Sequence, residues 1–126
     1  MCKGNEQWGL VFAGGGGKGA YEIGAWKAIR ELCKDLNIVS VAGTSVGALN
    51  AVLYAIGDYD LAYDIWRYQV TSKVILANKS IDEMKRLIFN LIKDNTILFP
   101  LVKGKSFECC HSVFYYKKDV AAAVKR

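Results

Sequence analysis

Apolar positions along the chain fall into two periods. Trp8 to Ala13 is a short apolar run cut off by four consecutive glycines, which reads as a buried strand ending in a tight turn. From Lys18 to about Leu36 the period becomes helical. Tyr21, Gly24, Ala25, Ala28, Ile29 and Leu32 share one face, and Glu22, Lys27, Arg30, Glu31 and Lys34 lie mainly on the other. Asn37 is the stop. Ile38 to Ala42 is a second apolar run rich in β-branched residues, hence a second strand. After a turn at Gly43–Gly47, Ala48 to about Ile56 is an apolar helix that Gly57 ends. Asp58 to about Gln69 predicts another helix with Leu61, Ile65 and Tyr68 inward. Ser80 and Glu83 form a capping box for a helix reaching about Lys93, whose core positions are Met84, Leu87, Ile88 and Leu91. Asn95 and Pro100 bracket a loop.

Strand, helix, strand and helix joined by short connections predict an α/β fold, a mostly parallel sheet covered by helices. Residues 101–126 are hard to classify by pattern, and the chain divides into a domain over residues 8–105 and an unclassified tail over 106–126. Within the tail, Phe114 to Lys118 reads either as a strand or as an aromatic–basic interfacial anchor. The remaining aromatics, Trp8, Trp26, Trp66, Tyr54, Tyr63 and Tyr68, read as core or rim packing rather than a base-stacking platform, which argues against nucleic acid as a partner.

Composition narrows this picture. A chain of 126 residues, 52% hydrophobic, has enough apolar surface for one core. Its net charge of +5 is uneven. Residues 1–63 hold five basic and six acidic residues, and residues 64–126 hold twelve and six. That basic half reads as a solvated face and also suits an anionic membrane surface. No run approaches the length of a membrane span or a signal core, so a cytoplasmic protein, at most peripheral at membranes, is expected. Cys2, Cys33, Cys109 and Cys110 lack Cys-x-x-Cys spacing, so no disulfide framework is expected. A corner of Cys109, Cys110 and His111 lacks a second ligand pair, and no metal site is assigned.

Two motifs carry chemistry. Gly14-Gly15-Gly16-Gly17-Lys18-Gly19 follows a strand and opens a helix, where backbone amides converge on negative charge. The ligand would be a nucleotide phosphate, a dinucleotide pyrophosphate or the oxyanion of an acyl-transfer intermediate. Phe12 and Gly19 break the Gly-x-x-x-x-Gly-Lys-Ser/Thr pattern and remove the first. Gly14, Gly16 and Gly19 do match the dinucleotide fingerprint, but the second strand ends in Gly43-Thr44-Ser45 where that fold wants an acidic residue. The second motif, Gly43-Thr44-Ser45-Val46-Gly47, is Gly-x-Ser-x-Gly at a strand-to-helix turn, the setting of a serine nucleophile. Amides of Gly15, Gly16 and Val46 would then meet at an oxyanion. The plainer alternative is that these glycines serve only close helix–strand packing.

With Gly-Gly-Gly-x-Lys-Gly after the first strand and Gly-x-Ser-x-Gly after the second, the chain resembles the patatin-like phospholipase family over residues 8–95. The resemblance implies a Ser–Asp dyad that cleaves acyl esters of phospholipids or other lipids, with no cofactor. Carried over by position, Ser45 is the nucleophile and Gly43, Thr44 and Gly47 shape its elbow. Gly14, Gly15, Gly16, Gly17, Lys18 and Gly19 make the oxyanion loop, to which Val46 adds an amide. The family's base sits in an Asp-Gly-Gly or Asp-Gly-Ala motif. None of Asp35, Asp58, Asp60, Asp64, Asp82, Asp94 and Asp119 is followed by glycine. The expectation is therefore the N-terminal part of a lipid acyl hydrolase, truncated before its Asp. The alternatives are an inactive patatin-like binder of lipid or a protein partner, and a dinucleotide-binding domain. His111 is a substitute base to consider.

Overall fold

The computed structural model describes residues 6–95 and 113–117. The order of elements is β1 (Gln7–Phe12), a 3₁₀ turn (Gly16–Lys18), α1 (Gly19–Leu32), β2 (Asn37–Thr44), α2 (Val46–Ile56), α3 (Tyr59–Asp64), a π-helical segment (Ile65–Ile75), α4 (Ile81–Asn95) and β3 (Val113–Lys117). The sheet order is β1-β2-β3. β1 and β2 are parallel, as a strand–helix–strand unit requires, and β3 joins the other edge of β2 antiparallel. The α/β expectation holds, with one antiparallel strand added where Phe114–Lys118 reads as a strand. The other residues of the 106–126 tail, His111 included, lie outside the described residues.

Strand register positions the site. Gln7 and Trp8 pair with Asn37 and Ile38; an irregularity follows, and pairing resumes from Gly9 and Ser40 to end at Phe12 opposite Gly43. The glycine loop and the Ser45 turn therefore leave the same end of adjacent parallel strands, where open α/β sheets build their sites.

Helix α2 is the centre of the molecule. Its residues Val46 to Leu53 are all buried, because they pack between the sheet and the other helices. Burying side chains such as Leu49 and Leu53 is worth roughly 1.5–3 kcal/mol each. On the sheet, Phe12 and Val41 face this core, while Val11 on the opposite face is 73% exposed. Among the described residues the helices thus cover one face of the sheet.

The burial of α1 corrects the sequence reading. Its buried stripe is Gly19, Ile23 and Trp26, whereas Tyr21 and Leu32, expected inward, are 82% and 73% exposed. The helix is apolar on more than one side, and its largest residue decides the seat. Trp26 packs against Tyr54 with centroids 5.1 Å apart and edge-on against Tyr59 at 5.3 Å. The helix ends at Leu32 with Cys33 as its C-cap, several residues before Asn37, which opens β2. Cys33 is disulfide-bonded, where the cysteine spacing gives no expectation of a disulfide.

Asp58 to Gln69 is not one helix. Asp58 caps α3 by accepting the Leu61 amide at 3.0 Å, and after Asp64 the backbone widens into π-helix. Its buried residues Ile65, Trp66, Val70 and Val74 follow the wider turn. Tyr68, inward on a 3.6-residue period, is 57% exposed. Helix α4 begins as expected: Ser80 Oγ accepts the Glu83 amide at 3.2 Å and Glu83 Oε2 accepts the Ser80 amide at 3.0 Å. Among the described residues no helix is long and apolar enough to cross a membrane.

Candidate functional site

Ser45 stands between the end of β2 and the start of α2 with φ 57° and ψ −127°, a left-handed backbone that a non-glycine residue rarely adopts. Such strain persists only where the surroundings fix it. Here they do. A Cβ on Gly43 would collide with the Gly47 carbonyl, and one on Gly47 would collide with the carbonyl oxygens of Phe12 and Ala13. The two outer glycines of Gly-x-Ser-x-Gly let α2 start directly against the ends of both strands. Ser45 is half-buried at that junction, and its side chain makes no capping hydrogen bond. Its carbonyl accepts the Ala48 amide at 2.9 Å, which closes the first turn.

The glycine loop lies against this turn. A Cβ on Gly14 would stand 3.3 Å from Ser45 Cβ and 3.2 Å from the Thr44 carbonyl oxygen. Gly16 has φ 57° and faces Ile81 at the head of α4. The Lys18 amide donates to the Gly15 carbonyl at 3.1 Å and closes the 3₁₀ turn. Gly17 is open to solvent. Gly19 is the tightest point of the loop: a Cβ there would come within 2.6 Å of the Trp66 ring. Among the described residues, the amides of Gly15 and Val46 donate to no protein acceptor, as expected at the starts of helical turns. All the residues singled out from the two motifs are therefore neighbours at one end of the sheet.

A cavity of about 360 Å³ opens beside the loop, lined by Ala13, Gly14, Lys18, Tyr21 and Glu22. Its lining is mostly apolar, with one cation and one carboxylate. Burial lifts the Glu22 carboxyl above its ordinary value, outweighing the hydrogen bonds it accepts from Asn50 and from the Ala13 backbone, which pull the other way. A second cavity of about 310 Å³, lined by Ile23, Lys27, Tyr59, Tyr63, Trp66 and Arg67 among others, sits between α1, α3 and the π segment. Among the described residues no cluster of three His, Cys, Asp or Glu side chains could hold a metal.

Sequence reasoning missed Asn50, the one buried polar side chain of the described core. Its Nδ2 donates to Glu22 Oε1 at 2.9 Å and to the Gly19 carbonyl at 3.0 Å, and its Oδ1 accepts Trp66 Nε1 at 2.7 Å. Every polar atom of the amide is satisfied, as burial demands. A signal for it existed: an asparagine in the run Ala48-Leu49-Asn50-Ala51-Val52-Leu53, whose neighbours are all apolar.

The sequence profile described as patatin-like phospholipase matches residues 10–107. A patatin-like phospholipase domain-containing protein of Caenorhabditis elegans is 51% identical over 47 residues, 37% of this chain and 4% of the relative. The chain thus spans a small fraction of that relative's length. No solved structure matches. With a family profile covering most of its length, the chain belongs to the patatin-like phospholipase family.

Proposed function

We propose that residues 8–105 form the N-terminal part of a lipid acyl hydrolase domain in which Ser45 is the nucleophile. The observation that carries this reading is the meeting of the strained Ser45 turn and the glycine loop at one sheet end, with Phe12 opposite Gly43. Ser45 Oγ attacks the carbonyl carbon of an acyl ester, and its proton passes to a base. The oxyanion is held by the amides of Gly15, Gly16 and Val46, each such donor being worth about 3 kcal/mol in transition-state stabilisation. Collapse expels the alcohol, which takes up a proton. Water then attacks the acyl-enzyme and releases the fatty acid and free Ser45. The substrate class is phospholipid or another acyl-ester lipid, met at a membrane surface, and no cofactor enters. A fluorophosphonate probe is expected to label the wild-type chain and to leave Ser45→Ala unlabelled; equal labelling of the two overturns the reading.

A second reading rests on a separate observation: no aspartate in this sequence is followed by glycine. A serine hydroxyl without a base is a poor nucleophile. On this reading the chain binds lipid or a protein partner through the same site without turnover. It predicts binding to phospholipid vesicles that survives Ser45→Ala and no hydrolysis of a p-nitrophenyl ester. Hydrolysis that Ser45→Ala abolishes excludes it.

A further inference from the structure

One buried amide ties the far end of the glycine loop to α2 and holds a carboxylate beside its near end. Asn50 lies five residues beyond Ser45 on α2 and is fully buried. It donates directly to the carbonyl of Gly19, the last residue of the loop. It also donates to Glu22 Oε1, and Glu22 lines the cavity beside Ala13 and Gly14, where the loop begins. Trp66 holds the Asn50 amide in one orientation by donating to its Oδ1, and its ring packs where a Cβ of Gly19 would be. The flip that exchanges amide oxygen and nitrogen would face the indole N–H with an NH₂ group and both acceptors with an oxygen. The network therefore has a single orientation that satisfies all its members.

We propose that Asn50 and Glu22 are positioning residues that suspend the glycine loop from the helix carrying Ser45, and so set the distance between the loop amides and the serine hydroxyl. This rests on the reading of Ser45 as nucleophile and goes beyond it, since neither residue belongs to the two motifs. The loop needs such a tether because glycine confers the largest backbone freedom, and a misplacement of about 1 Å costs roughly 100-fold in an oriented reaction. Glu22 suits the task because its carboxylate accepts from Asn50 of α2 while it stands beside Ala13 and Gly14 at the start of the loop. Its charged or titratable neighbours around the cavity are Lys18 from the 3₁₀ turn and Tyr21 from its own helix; from α2 it meets the uncharged Asn50, which Trp66 of the π segment holds in turn.

The test uses the whole chain, with Glu22→Gln, which keeps one oxygen to accept from Asn50, and Glu22→Met, which keeps length and removes the acceptor. Two measurements are made on folded protein: the ¹H–¹⁵N resonance of the Ala13 amide as a function of pH, and the second-order rate of fluorophosphonate labelling. In the wild type the Ala13 resonance shifts as Glu22 titrates, and in Glu22→Gln that transition disappears. Labelling of Glu22→Gln stays close to the wild-type rate, while Glu22→Met is slowed about 10- to 100-fold at temperatures where its melting curve shows it folded. An Ala13 resonance that ignores pH, or titrates unchanged in Glu22→Gln, overturns the tether. Wild-type labelling rates in folded Glu22→Met overturn the positioning role and leave the nucleophile standing. A wild-type chain that is never labelled overturns the nucleophile reading itself, and the positioning role with it.

Discussion

Ser45 concentrates the conflict between local preference and tertiary demand. Its side chain gains nothing from φ 57°, since it caps no amide, yet the backbone is held there by α2 starting against both strand ends. Removing the Cβ should relieve the strain. Ser45→Gly is expected to stabilise the fold by about 1 kcal/mol in urea denaturation, whereas Ser45→Ala, which keeps the Cβ, should give no such gain. A second residue-scale effect concerns pH. Burial raises the Glu22 carboxyl above its unfolded value, so its charged form is disfavoured in the folded state. Stability tied to this group is present below the unfolded carboxylate value and lost as pH rises through the folded one. Glu22→Gln should therefore melt higher than wild type at neutral pH, and the difference should close in acid below the ordinary carboxylate range. Thermal melts across that range check the sign.

At the scale of elements, local chemistry specified what it controls directly. The Ser80–Glu83 capping box sets the start of α4, and Gly57, with φ 87°, ends α2. Replacing the cap, Ser80→Ala, should cost about 1 kcal/mol, read as a lower urea midpoint with unchanged slope. The Ser80 backbone amide holds the Glu83 carboxyl below its ordinary value. That contribution is full above the unfolded carboxylate value and fades as pH falls through the folded one. Faces were less legible than boundaries. In α1 the alanine-rich side looks apolar enough to be inward, but the burial of Ile23 and the indole of Trp26 wins. In the π segment the period itself changes: backbone bonds such as Leu76 N–H to the Thr71 carbonyl span five residues, so a 3.6-residue reading puts Tyr68 on the wrong side.

Across the whole molecule, the Asn50 network couples elements far apart in sequence: the glycine loop, α1, α2 and the π segment. Trp66→Phe removes the N–H together with the outer indole carbons at Gly19, leaving Asn50 Oδ1 buried without a donor. A loss of about 1–3 kcal/mol is expected, measured by chemical denaturation, and Asn50→Ala combined with Trp66→Phe should cost less than the sum of the two single changes. Sequence alone determined the strand–helix alternation, the Ser80–Glu83 cap, the Gly57 stop and the two glycine motifs, because each is fixed by short-range sterics and hydrogen bonding between residues close along the chain. Tertiary structure decided the rest. Parallel pairing of Phe12 with Gly43 brought the motifs to one end of the sheet, and the packing of Trp26 and Trp66 chose which faces are buried. The close fit of α2 strained Ser45 and turned an asparagine in an apolar helix into the anchor of a loop more than thirty residues away, since only residues brought together through space can satisfy a buried amide.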